Sequence, residues 1–243
     1  MKILLTIVVC NEADREKAFT LYDGIELIYP EEGEKERDFL SRAFKIAKGK
    51  YSLVCVNRFR FADVQSILNI LDKNTADMVS FLGGSVLKTS IIKNIAKDCP
   101  DEFSACALAI MQSKTMLKTV YTPFIFDKGA VAFNDENTEG MLLAAAEFKK
   151  VKAKLSKEIY SYVFEMLCAR IVEYYIFAML SIRDGKIEAE KLISFDNKLK
   201  AEIVLYLAVD KRFEHGNLEK LRNKGFKISF FTAKRFRKLI KYE

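Results

Sequence analysis

Residues 4–9 form a continuous, mainly apolar and largely β-branched run, and a shorter run follows at residues 25–29 after a charged stretch. Runs of this kind are expected of strands covered on both faces in a parallel sheet. Leu40, Ala43, Phe44 and Ala47 then recur at helical spacing, and Gly49 stands where that helix would stop. Residues 51–56 predict a buried strand, and Asp63 caps a helix whose inner face is Val64, Ile67, Leu68 and Leu71. Residues 78–82 supply another strand. Strands alternating with helices at these lengths imply βαβ units and a mostly parallel sheet, so the class is α/β.

Beyond Gly84 the pattern predicts a helix over residues 86–96, a strand over 105–110, a helix over 114–119 and an extended piece over 124–133. Long helical periodicity takes over from Thr138, through residues 141–152, 157–182 and 196–212. The last stretch predicts a short strand at 226–231, Thr232 as a cap and a helix over 233–242. The implied organisation is a sheet domain over residues 1–138 and a helical region over 139–243.

Composition adds that the chain is an ordinary globular one: of its 243 residues 50% are apolar and 30% charged. The opening ten residues carry one lysine and run straight into charge, so they predict a first strand rather than a signal sequence. Arg170 and Glu173 interrupt the longest apolar stretch, which predicts no membrane span. Five widely spaced cysteines, Cys10, Cys55, Cys99, Cys106 and Cys168, without a Cys-x-x-Cys pair, predict reduced thiols and a cytoplasmic protein. The single histidine, His215, excludes a multi-histidine metal site. Gly83, Gly84 and Ser85 predict a turn; a phosphate cradle there would lack the spacing and lysine of a P-loop.

The net charge of +7 is unevenly spread: residues 211–243 hold eleven Lys and Arg against three acids, leaving the rest of the chain close to neutral. Lys234, Arg235, Arg237, Lys238 and Lys241 interleave there with Phe230, Phe231, Phe236, Leu239, Ile240 and Tyr242. A basic and apolar helix of this kind suits an anionic membrane surface, at the inner face for a cytoplasmic protein, or a protein partner, with nucleic acid as the lesser alternative. The competing expectation is that Phe236, Leu239 and Ile240 dock on the helical region while the lysines stay solvated.

Three segments taken in order carry a resemblance: Asn11-Glu12 after the first strand, Ala47-Lys48-Gly49-Lys50-Tyr51 between a helix and a strand, and Ala76-Asp77-Met78-Val79. The set resembles the inverting family 2 glycosyltransferases of the GT-A fold, over roughly the first 80 residues. The resemblance implies a GT-A-like, Rossmann-like sheet domain that binds a nucleotide diphosphate sugar, as in bacterial surface polysaccharide synthesis. It places substrate-binding positions at Val9, Asn11, Glu12, Asn57 and Arg58.

The chain also departs from that pattern. Where the family has the Asp-x-Asp that holds a divalent metal, this sequence has Val56, Asn57, Arg58 and Phe59, a set that includes no carboxylate. No metal and no cofactor are therefore expected. The residues between Glu12 and Ile25 are too few for the family's next helix and strand, so a βα unit is missing, and Arg42 stands two positions from its place in the family's Ala-Arg-Asn. Arg58 is either a fixed charge that grips a diphosphate in place of the metal or a solvated loop arginine. By resemblance the catalytic base would be Asp135 or Glu136; equally, both are acids in a helix's first turn, where the dipole favours them. Two functions stay open: a metal-independent or inactive relative of the transferases, and a non-catalytic protein that docks through the helical region and the basic tail.

Overall fold

The computed structural model describes residues 2–9, 23–55, 59–61, 63–81, 84–95, 99–121, 124–126, 132–213, 217–240 and 242. Strand β1 (Leu5–Val9) is buried at every position, as its largely apolar run requires, with Thr6 as its one polar residue. It lies between β2 (Ile25–Ile28) and β3 (Tyr51–Cys55), parallel to both, with Leu5 opposite Tyr51 and Val9 opposite Cys55. With β5 (Met78–Phe81), β6 (Gly84–Lys88) and β7 (Met116–Lys118) they form a six-stranded sheet ordered β2-β1-β3-β6-β5-β7. Only β6 runs antiparallel to its neighbours, so the sheet is mostly parallel and the α/β class holds. Strands β4 (Phe59–Phe61) and β8 (Phe124–Phe126) pair separately.

Helix α1 (Glu36–Ile46) buries Phe39, Leu40, Ala43 and Phe44, and α2 (Val64–Lys73) buries Val64, Ile67, Leu68 and Leu71, the two faces that spacing predicted. The α2 face joins Leu5, Ile7, Val9, Leu53, Val79 and Phe81 in one core cluster.

Several expectations are corrected. Residues 105–110 are not a strand but part of helix α4 (Glu102–Gln112), which follows α3 (Thr89–Ile95). Asp101 and Ser104 form a reciprocal capping box, and a helix buried almost all round offers no polar face to set its period. Residues 114–119 are not a helix; three of them form β7, where the Asp77 carboxylate accepts the Lys114 and Thr115 N–H groups. The helix predicted over 86–96 begins only at Thr89, because residues 84–87 pair with β5 and Leu87 and Lys88 with β3. Nor is there a strand at 226–231: Phe226 has φ of 61°, and Ser229, not Thr232, caps the last helix.

Contacts divide the chain into two units, Met1–Lys128 with Leu155–Ile159, and Gly129–Lys154 with Tyr160–Glu243. The second unit is helical: α5 (Asp135–Val151), α6 (Lys157–Arg183), α7 (Ala189–Leu199), α8 (Ile203–Arg212), α9 (Asn217–Asn223) and α10 (Phe230–Leu239). A single helix over 196–212 is also corrected: it is divided into α7 and α8, where Glu202 and Ala201 N–H groups close turns onto Leu199 and Lys198. Asp196, 3% exposed, holds this unit together. It accepts from the Tyr175 hydroxyl at 2.5 Å and from Arg222 Nε at 2.9 Å, while Arg222 also reaches Asp210 at 2.8 Å. Burial, and then the Asp196 charge, push the Tyr175 phenol up. Among the described residues no helix is long and apolar enough to cross a membrane.

The tightest joint is at Gly49. A β-carbon there would lie 2.5 Å from the Thr6 backbone nitrogen and 2.8 Å from the Leu5 carbonyl carbon, backbone atoms of β1 that strands on both sides hold in place. Gly49→Ala should lower stability by about 3 kcal/mol, as overpacking against backbone does. Urea denaturation checks this.

Candidate functional site

The carboxyl ends of β1, β2, β3, β5 and β7 share one edge of the sheet, the edge at which open parallel sheets bind ligands. Val9 and Cys55 close β1 and β3 as direct partners. The segments at residues 10–12 and 56–58 therefore continue from neighbouring strand ends. Asn11, Glu12, Asn57 and Arg58 themselves lie outside the described residues, as do Lys241, Cys10, His215 and Gly83. The Val9 side chain is 2% exposed and packs in the core cluster, so only its main chain remains for a ligand.

Two groups on this edge escaped the sequence reading as a pair. Asp63 caps α2, accepting the Ser66 N–H at 3.1 Å and the Ser66 hydroxyl at 2.6 Å. Those bonds, with a further one from Tyr121, hold its carboxyl below the usual range. Tyr121 stands three residues past β7; burial, and then Asp63, raise its phenol. Asp63 was legible as a cap, but nothing in the spacing announces that a tyrosine 58 residues later meets it.

Two of the three segments that carry the resemblance, Ala47 to Tyr51 and Ala76 to Val79, lie at the opposite, amino edge. Gly49 donates its N–H to the Thr6 hydroxyl at 2.8 Å, and that hydroxyl donates to Glu26, which also accepts the Lys48 N–H. Lys50 Nζ reaches the carbonyl oxygens of Leu71 at 2.9 Å, Asp72 at 3.1 Å and Asn74 at 2.5 Å, where the α2 dipole ends negative. The Tyr51 hydroxyl donates to the carbonyls of Asn74 and Ala76. Asp77 pairs with Lys88 at 2.8 Å while holding the start of β7. These residues build the fold and face no ligand edge.

The carboxylates expected as base candidates belong to the second unit. Asn134 and Asn137 form the capping box of α5, and Asp135 and Glu136 fill its first turn, as the helix-dipole reading expects. Asp135 is exposed and pairs with Lys191 at 3.0 Å. Glu136 is half-buried, with no ion pair among the described residues. In α10, Arg237 is committed to Asp184 at 2.7 Å, whereas Lys234 and Lys238 are exposed, without an ion pair among the described residues. Arg235 is also exposed. Phe236 and Ile240 dock inward while Leu239 stays 62% exposed. Among the described residues no three His, Cys, Asp or Glu side chains converge to hold a metal ion.

Arg42, displaced from its place in the family pattern, has a structural role beside the ligand edge. Its guanidinium donates to both Glu34 carboxylate oxygens, at 2.8 and 2.6 Å, and to the Tyr29 carbonyl at 2.9 Å, fixing the loop that follows β2. The hydrogen bonds from Arg42 hold the Glu34 carboxyl down, from 4.5 to about 2. A carboxylate with a lowered folded-state pKa stabilises above its unfolded value and loses that stabilisation as pH falls through the folded one. Glu34→Gln should therefore cost about 1–2 kcal/mol at neutral pH. The gap from wild type should close between pH 4.5 and about 2, followed by thermal melts across that window.

No protein-family model and no curated protein matches the sequence. Among solved structures the chain is similar to residues 1–349 of TarS from S. aureus, a glycosyltransferase, with a TM-score of 0.52 and 11% identity over 97% of this chain and 92% of that one. At this identity the likeness is one of fold, and the fold is glycosyltransferase-like.

Proposed function

We propose that this chain binds a nucleotide diphosphate sugar at the carboxyl edge of its sheet without a divalent metal, as a metal-independent relative of the transferases that build bacterial surface polysaccharide. The observation that carries this is the pairing of Val9 with Cys55, which starts residues 10–12 and 56–58 from adjacent parallel strand ends. The glycosyltransferase-like fold and the ligand edge of a parallel sheet support it.

In this reading Asn11, Glu12 and Asn57 contact the nucleotide, and Arg58 stands where the resemblance places a metal-binding carboxylate. A guanidinium grips two phosphate oxygens in a fixed, bidentate geometry and stays charged throughout, so it supplies the positive charge that the leaving diphosphate needs. Glu136 is the better base of the two acids, since Asp135 is held by Lys191. A carboxylate in that role removes the proton of the acceptor hydroxyl as the sugar is transferred.

Calorimetry with UDP- and GDP-sugars, with and without Mn²⁺, tests the binding. A heat that is present without the metal and unchanged by it is expected, with affinity at least tenfold weaker in Arg58→Ala. No heat with either donor class ends the reading. Donor hydrolysis or transfer that disappears in Glu136→Gln while binding persists assigns the base; binding without turnover in the wild type identifies an inactive relative.

A further inference from the structure

We propose that the second unit docks on anionic phospholipid membranes, with one acyl chain entering a groove bounded by α6, α8, α9 and α10. The groove has a volume of about 570 Å³ and apolar walls from Val172, Ile176, Phe213 and Phe236. Arg212, Lys220, Lys224 and Arg235 also line it, and among the described residues no carboxylate does. Arg212 is engaged by Glu165, while Lys220 and Lys224 have no ion-pair partner among the described residues.

The charge pattern selects the occupant. An apolar trough whose charged lining, among the described residues, is cationic complements a molecule that is a hydrocarbon along its length and an anion at its head. A free phosphate would leave the apolar walls unused, and a neutral lipid would leave the lysines unmatched.

Helix α10 adds a second feature, adjoining the groove. Ala233, Phe236 and Ile240 turn inward, and the Arg237–Asp184 pair fixes the helix. Its outer surface then presents Phe231 at 82%, Phe230 at 61% and Leu239 at 62% exposure beside Lys234 and Lys238. Large exposed aromatics flanked by lysines are unfavourable in water and suit the headgroup boundary of a bilayer, where rings enter the acyl region and ammonium groups meet phosphate. Phe231 and Leu239 belong to both features, lying on the outer surface of the helix and at the groove.

The test uses the full chain. Co-sedimentation with phosphatidylcholine vesicles, alone or containing phosphatidylglycerol, should show binding to the anionic vesicles only. Lys220→Glu with Lys224→Glu, both at exposed positions, should weaken it at least tenfold, and Phe231→Ser severalfold, with melting temperatures near wild type. Because the protein contains no tryptophan, Leu239→Trp gives a single reporter at the groove. Lipids brominated along the acyl chain should quench that indole. Equal binding to neutral and anionic vesicles, unaltered binding by both variants, or an unquenched indole overturns the proposal. Binding of a synthetic acidic amphipathic peptide without vesicle binding assigns the groove to a protein partner and overturns it too.

Discussion

The absence of a side chain at Gly49 lets the end of the α1–β3 connection lie against the backbone of β1, and most of the first unit depends on that approach. With Gly49 in place, the Thr6 hydroxyl takes its N–H and passes a hydrogen bond to Glu26, joining β1, β2 and the connection into β3 through one short chain of polar atoms. One residue later Lys50 closes over three carbonyls at the end of α2, and the Tyr51 hydroxyl shares the Asn74 carbonyl and reaches that of Ala76 beyond it. Strand order, strand register and the seating of α2 are set together. The register then decides that β1 and β3 finish side by side at the opposite edge. Residues at the amino edge thus set the strand ends at the carboxyl edge.

This separation explains what the sequence could disclose. The helices α1 and α2 were legible because each has one dry face and one wet face, which gives a periodic pattern, and Asp63 was legible because a cap is a local interaction. Helix α4 was not, since burial on nearly every side erases the period. Strand β7 was not, because the two residues that lead into it, Lys114 and Thr115, are fixed by Asp77, 37 residues earlier in the case of Lys114. The break between α7 and α8 carries no proline or glycine to mark it.

The candidate site divides in the same way. The segment from Ala47 to Tyr51 was recognisable as a motif, but its chemistry is structural, and Arg42 proved to be bound to Glu34 and Tyr29. Tyr121 meets Asp63 only through the folded sheet, and the Val9 side chain belongs to the core. In the basic tail, composition revealed the mixture of cations and aromatics without revealing which residues face inward. The fold resolves it: Phe236 and Ile240 are packed, Arg237 is paired, and Phe230, Phe231 and Leu239 remain in solvent.

The central claim is that nucleotide binds at the carboxyl edge of the sheet without a metal. Methyl NMR of the full chain, titrated with UDP or GDP in the presence of a chelator, tests it most directly. The account predicts shifts at Val9 and Val64, which line that edge, with Leu71 and Ile92 near the amino edge unmoved. Shifts centred on Leu71 and Ile92, or no shift with either nucleotide, would contradict it.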